Sequence, residues 1–124
     1  MDVIGSNIVR GKIWGETSTI FLKNNVEIAR IKVNKDAYCS THIHEHKYNL
    51  FFVESGVLKI TIFRHDAETT IEDVTVLKAG GSTYVEPGLY HAFFALEDCV
   101  AYEIYWTELD TKDISRKSVG GVRG

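Results

Sequence analysis

Turn-forming clusters interrupt this chain at short, even intervals, and that punctuation limits its fold more than any other feature. Lys23-Asn24-Asn25, Asn34-Lys35-Asp36, Glu54-Ser55-Gly56, His65-Asp66-Ala67-Glu68, Lys78-Ala79-Gly80-Gly81, Pro87-Gly88 and Glu97-Asp98 carry the residues that reverse a backbone. The runs between them are short and rich in β-branched and aromatic residues, which predicts strands over 19–22, 26–33, 38–44, 49–54, 57–64, 70–77, 82–86, 91–97 and 99–106. No stretch is convincingly helical, so the chain reads as all-β, a sandwich or barrel. Along 26–33, Val26, Ile28, Ile31 and Val33 alternate with polar residues except for one slip of phase near Ala29, where a bulge is expected.

With 124 residues, 44% of them apolar, the chain is expected to be one domain over 1–124. Residues 1–18 read as an arm of short extended pieces with Trp14 anchored on the barrel wall, and 107–124 as a loosely held polar tail. A net charge of −3 with both signs interspersed argues against a nucleic-acid partner and against a membrane-binding patch, leaving a small molecule. The N-terminus lacks the pattern of a signal peptide and no apolar run approaches membrane-spanning length, so the expected location is cytoplasmic. Cys39 and Cys99 are too few and too far apart for a zinc ribbon or disulfide framework and are expected to be buried free thiols. Leu50-Phe51-Phe52-Val53 and Ala92-Phe93-Phe94-Ala95 are apolar on both faces, which asks for a second covering layer such as a partner subunit in a homodimer. The aromatics Tyr38, Phe51, Phe63, Phe93, Tyr102, Tyr105 and Trp106 read as barrel core, and His65 as a surface turn residue.

The chemistry concentrates between Cys39 and Gly56. Side chains two apart on a strand share a face, so His42 and His44 project into the same space. A third imidazole, His91, follows the turn Glu86-Pro87-Gly88, and imidazole is the commonest protein ligand for first-row transition metals. Together they suggest a metal site inside the barrel.

The spacing of these residues resembles the two signature motifs of the cupin superfamily. In the first, His42, His44 and Gly56 stand in register, with Asp36 in place of the opening glycine and Asn49 in place of the glutamate. In the second, Gly80, Gly88 and His91 stand in register, with Glu86 replacing the proline and Ala95 the closing asparagine. The resemblance implies a jelly-roll barrel (double-stranded β-helix) with a divalent transition metal, Zn, Mn, Fe or Ni, held by His42, His44, His91 and Asn49. A neutral amide leaves such a site one unit more positive than a glutamate would, so it should bind metal less tightly.

A narrower likeness covers most of residues 11–120. Ile13-Trp14-Gly15-Glu16, Cys39 to His44 with Lys47, Phe51 to Gly56, Trp106 to Asp110 and Asp113-Ile114-Ser115-Arg116 are similar to cupin-type mannose-6-phosphate isomerases and the isomerase domain of mannose-1-phosphate guanylyltransferases. That likeness implies metal-assisted interconversion of an aldose and a ketose phosphate, with a sugar phosphate or carbohydrate as the small-molecule partner. Glu103 and His46 are the candidate catalytic residues, and Lys47 and Arg64 are further candidates for base or phosphate partner. Two other functions fit a cupin of this kind: a carbohydrate- or metabolite-binding module without activity, and a metal-dependent oxygenase or lyase.

Overall fold

Among the described residues of the computed structural model, 9–66, 69–107 and 117–123, nine strands form and no helix. They are β1 (Val9–Lys12), β2 (Gly15–Lys23), β3 (Val26–Val33), β4 (Tyr48–Ser55), β5 (Val57–Asp66), β6 (Thr69–Lys78), β7 (Ser82–Val85), β8 (Tyr90–Ala95) and β9 (Cys99–Trp106). One sheet runs β1-β2-β3-β9-β4-β7 and the other β6-β5-β8, with all pairs antiparallel. Placing β9 between β3 and β4, and β8 beside β5, makes the chain cross repeatedly between the sheets, as in a jelly roll.

Period-two alternation decides what fills the space between the sheets. Ile31 and Val33 of β3, Phe51 and Val53 of β4, Leu58 and Ile60 of β5, Phe93 and Ala95 of β8, and Cys99 and Ala101 of β9 all point inward and are buried. Burial of each large side chain contributes about 1.5–3 kcal/mol. Phe51, fully buried, meets Phe93 edge-on at 6.2 Å, so the largest ring of β4 ties the two sheets together. Trp14, between β1 and β2, packs edge-on against Phe93 at 5.1 Å, the wall anchor expected of it. Gly56 turns β4 into β5 at φ +84°, where an added Cβ would lie 2.0 Å from the Asp98 carbonyl oxygen.

The structure revises several expectations. Residues 38–44 do not form a continuous strand. They touch β8 through two isolated bridges, Tyr38 to Phe94 and His42 to His91, and the backbone between is free to wind around the imidazoles. The bulge lies on β2, between Thr19 and Phe21, opposite Ile28 and Ala29; β3 itself stays in register with β9 throughout. The apparent slip of phase arises because Val26 and Ile28 face outward while Ala29 and Ile31 face in. Of the seven aromatics read as core, Phe51 and Phe93 are buried, whereas Tyr38 is 67% exposed and stacks on the outward Phe94. Trp106 stacks on Tyr48 on the outer face of the large sheet. His65 is exposed, but on β5 rather than in a turn. Cys39 and Cys99 are free and buried, as expected. In the tail, Glu108 to Arg116 lie outside the described residues, and Lys117 to Arg123 are exposed.

Candidate metal centre and lumen

His42, His44 and His91 converge at one end of the space between the sheets, each offering a ring nitrogen within 4.8 Å of the others. His42 and His91 face each other across reciprocal backbone hydrogen bonds, His42 N–H to His91 O at 3.0 Å and His91 N–H to His42 O at 2.9 Å. Their ring centroids are 4.4 Å apart, and His44 stands 5.0 Å from one and 5.3 Å from the other. Gly88, at φ +85°, donates its N–H to the His44 carbonyl, so the turn before β8 also braces the His42-to-His44 segment.

The hydrogen bonds of these rings fit them to a metal. His42 Nδ1–H donates to the Ser40 carbonyl at 2.8 Å, and His91 Nδ1–H to the Leu89 carbonyl at 3.0 Å. A backbone partner on Nδ1 leaves Nε2 with its lone pair free to ligate. His44 Nε2 is buried with no hydrogen-bond partner, a state that carries a desolvation cost unless something binds it. Burial, then the neighbouring His42 and His91, push the His44 imidazole down to about 4, and burial also lowers His91. Both rings are therefore neutral at pH 7, as metal ligands must be.

Asn49, inward on β4 and fully buried, sits beside them with Oδ1 3.1 Å from His91 Nε2. Because His91 donates through Nδ1, its Nε2 is an acceptor facing another acceptor, which is repulsive. A cation between the two atoms, or a turned amide that lets Nδ2 donate, relieves it. The four residues offer three nitrogens and one oxygen, a set suited to Zn, Mn, Fe or Ni.

A cavity of about 610 Å³ opens from this cluster, lined among others by Trp14, Thr17, Cys39, His42, Glu103 and Tyr105. Glu103 is 9% exposed on the inward face of β9, and the Tyr105 hydroxyl donates to its Oε2 at 2.5 Å. Burial raises the Glu103 carboxyl above its ordinary range, outweighing the opposing Tyr105 hydrogen bond and His42; burial and the adjacent Glu103 push the Tyr105 phenol up as well. A second cavity, of about 480 Å³, lies on the other side of Leu22, Glu27 and Tyr105, which line both, and is bounded by His44 and Lys47.

The remaining sequence candidates scatter. His46 lines the rim of the second cavity with its side chain 90% exposed, 3.8 Å from Glu45, and does not join the trio. Lys47 lies over the Tyr105 ring at 4.4 Å. Arg64 is ion-paired with Asp73 at 3.1 Å on the small sheet and lines neither cavity. Sequence reasoning passed over Tyr105 as a lumen group, and Arg10, Lys12 and Glu27 altogether. The available signal for Tyr105 was register: Cys99, Ala101, Glu103 and Tyr105 share one face of β9.

Comparison with known proteins agrees with the fold. Residues 29–106 match the family described as Cupin domain. KdgF from Halomonas sp. superposes with a TM-score of 0.72 at 14% identity, covering 89% of this chain and 97% of that one. An RmlC-like cupin from Shewanella frigidimarina gives 0.68 at 16% identity, covering 91% and 96%. Bacillus subtilis oxalate decarboxylase, a protein with Mn(II) centres, gives 0.69 at 16% identity over 86% of this chain and 29% of its own. No curated protein matches the chain by sequence.

Proposed function

The chain belongs to the cupin domain family, and from that premise we propose that it is a metal-dependent enzyme of small-molecule metabolism, a sugar-phosphate isomerase or epimerase with a substrate like mannose 6-phosphate. The observation that carries this reading is that one cavity is lined both by His42 of the trio and by a buried Glu103 whose proton affinity burial raises. His42, His44, His91 and Asn49 would hold the ion, and a bound metal supplies positive charge that polarises a sugar hydroxyl and the neighbouring carbonyl.

Proton movement falls to Glu103. Interconverting an aldose and a ketose requires one group to take a proton from one carbon and return it to the next. A carboxyl whose affinity for protons is raised by burial is suited to both steps near neutral pH. The Tyr105 hydroxyl holds Oε2 and leaves Oε1 for the substrate, while Ile31 and Phe93 give the lumen apolar walls that limit water. A second reading, a carbohydrate-binding module without turnover, is favoured by Asn49 standing where the resembled motif has a glutamate ligand.

We read residues 1–124 as one domain acting in the cytoplasm, a location supported by two buried free thiols. Phe52, Tyr84, Tyr102 and Trp106 on the outer face of the large sheet favour a homodimer, which the molar mass in solution by light scattering tests.

The functional test is elemental analysis together with conversion of mannose 6-phosphate to fructose 6-phosphate, for wild type, His42→Ala and Glu103→Gln. The expected result is near-stoichiometric metal in wild type and Glu103→Gln but not in His42→Ala, with turnover in wild type alone. Metal without turnover supports the binding module, and a metal-free wild type overturns the metal reading.

A further inference from the structure

We propose that Arg10 and Lys12 form an anion clasp at the mouth of the lumen, which makes the ligand a small metabolite with a carboxylate or phosphate at one end and neutral oxygens at the other. The proposal rests on the reading of the lumen as the substrate site.

Edge strand β1 pairs with β2 so that Arg10 stands opposite Thr17 and Lys12 opposite Gly15. Cross-strand partners share a face, and Thr17 lines the 610 Å³ cavity, as do Arg10 and Lys12 themselves. Three other strand cations are paired, Arg30 with Glu54 at 3.6 Å, Lys32 with Glu16 at 3.3 Å and Arg64 with Asp73 at 3.1 Å, and Lys59 lies over the Phe94 ring; none of these four lines the cavity. Among the described residues Arg10 and Lys12 have no acidic partner. Two cations on one short strand, aimed at a cavity and left without a carboxylate, are placed to receive one from a ligand.

The acids of the cavity lie further along the strands, away from Arg10 and Lys12. Through β2, β3 and β9, Arg10 is level with Thr17, Ile31 and Ala101, whereas Glu27 is level with Tyr105, four residues further along β9. That is roughly 14 Å of strand. Glu103 lies between them with its carboxylate oxygen held by Tyr105. The cavity is thus cationic at the β1 edge, with His42, Glu103 and Glu27 further in, a polarity that orients a ligand with one charged end. Arg offers a planar fork that fits either carboxylate or phosphate, and Lys adds a point charge.

The test is calorimetric titration of the full chain with mannose 6-phosphate, glucuronate and uncharged mannose at 20 and 200 mM NaCl. We expect saturable binding of at least one anion, weakening with salt, and none of mannose. The tighter of the two anions identifies the group the clasp takes. Arg10→Gln/Lys12→Gln should weaken the anion at least tenfold and flatten the salt dependence, and Lys32→Gln on the outer face should leave it unchanged. Arg10→Glu/Lys12→Glu should abolish binding. Equal affinity in the double variants, equal binding of mannose and its phosphate, or no binding of either anion overturns the clasp. The two readings fail separately: a metal-free protein that still binds phosphate through Arg10 and Lys12 loses only the metal, and a metal-loaded one indifferent to these substitutions loses only the clasp.

Discussion

Replacing His44 with phenylalanine should stabilise the metal-free protein while destroying its metal site. In the absence of an ion, His44 Nε2 is buried and unpartnered, which costs about 1–3 kcal/mol. A phenyl ring removes that cost, keeps the edge contact with Tyr105 now at 5.2 Å, and has room to expand into the adjoining cavity of about 480 Å³. Acid adds to the difference. The imidazole falls from 6.5 to about 4 on folding, so between those values the unfolded chain binds more protons and wild-type stability declines as pH falls. The drop is complete near pH 4, whereas the phenylalanine variant has no such loss from this position. Saturating zinc or manganese, at a hundred times its dissociation constant, adds about 2.7 kcal/mol to wild type alone. Urea unfolding followed by Trp fluorescence at pH 7 and pH 4, with chelator or with metal, reads all three effects. If the variant in chelator is less stable than wild type at pH 7, and the two pH profiles run parallel, the reasoning about an orphaned ligand nitrogen is wrong.

Three further outcomes follow from the lumen. Asn49→Asp, which conserves size at a fully buried position beside His91, should raise metal affinity by at least tenfold, read by competition with a chelator; unchanged affinity means that the amide is turned to donate to His91 instead. Glu103→Gln should remove a pH dependence of the opposite sign: the folded carboxyl holds its proton above the ordinary 4.5, so wild-type stability falls as pH rises from there through the folded value, while the variant stays flat in urea melts and loses isomerisation by at least a hundredfold. Phe51→Ala should cost about 3–5 kcal/mol in urea unfolding, because a fully buried ring between the sheets leaves a cavity that neighbouring strands cannot close.

The all-β class and most strand positions were legible because turn residues and period-two alternation act locally. The trio was legible for a related reason: His42 and His44 are neighbours in sequence, and the Pro87-Gly88 turn marks the approach to His91. The path of 38–44 was not, since its β-rich composition does not reveal that the backbone pairs at only two points. Tyr105 looked like core because an aromatic on an inward face is usually packed; instead its hydroxyl bonds Glu103, two residues back on the same face of β9, beside a cavity that composition does not reveal. Arg10 and Lys12 passed unnoticed, and Arg64 looked like a candidate, because pairing with Asp73 or facing a cavity is decided by cross-strand register.

The reciprocal hydrogen bonds between His42 and His91 join positions 42 and 91, with β4 to β7 between them in the chain. Closing a loop of that length costs roughly 3.5 kcal/mol in chain entropy before any contact rewards it. The early hairpins therefore lack His91, and a nascent chain carries only the incomplete set of His42, His44 and Asn49 until β8 has been made and docked. A metal would therefore load late, and once bound would act as a cross-link on that loop. Its departure would need only the bridged segment to lift from β8, so the rate of metal exchange is expected to report a local opening and not the unfolding of the barrel.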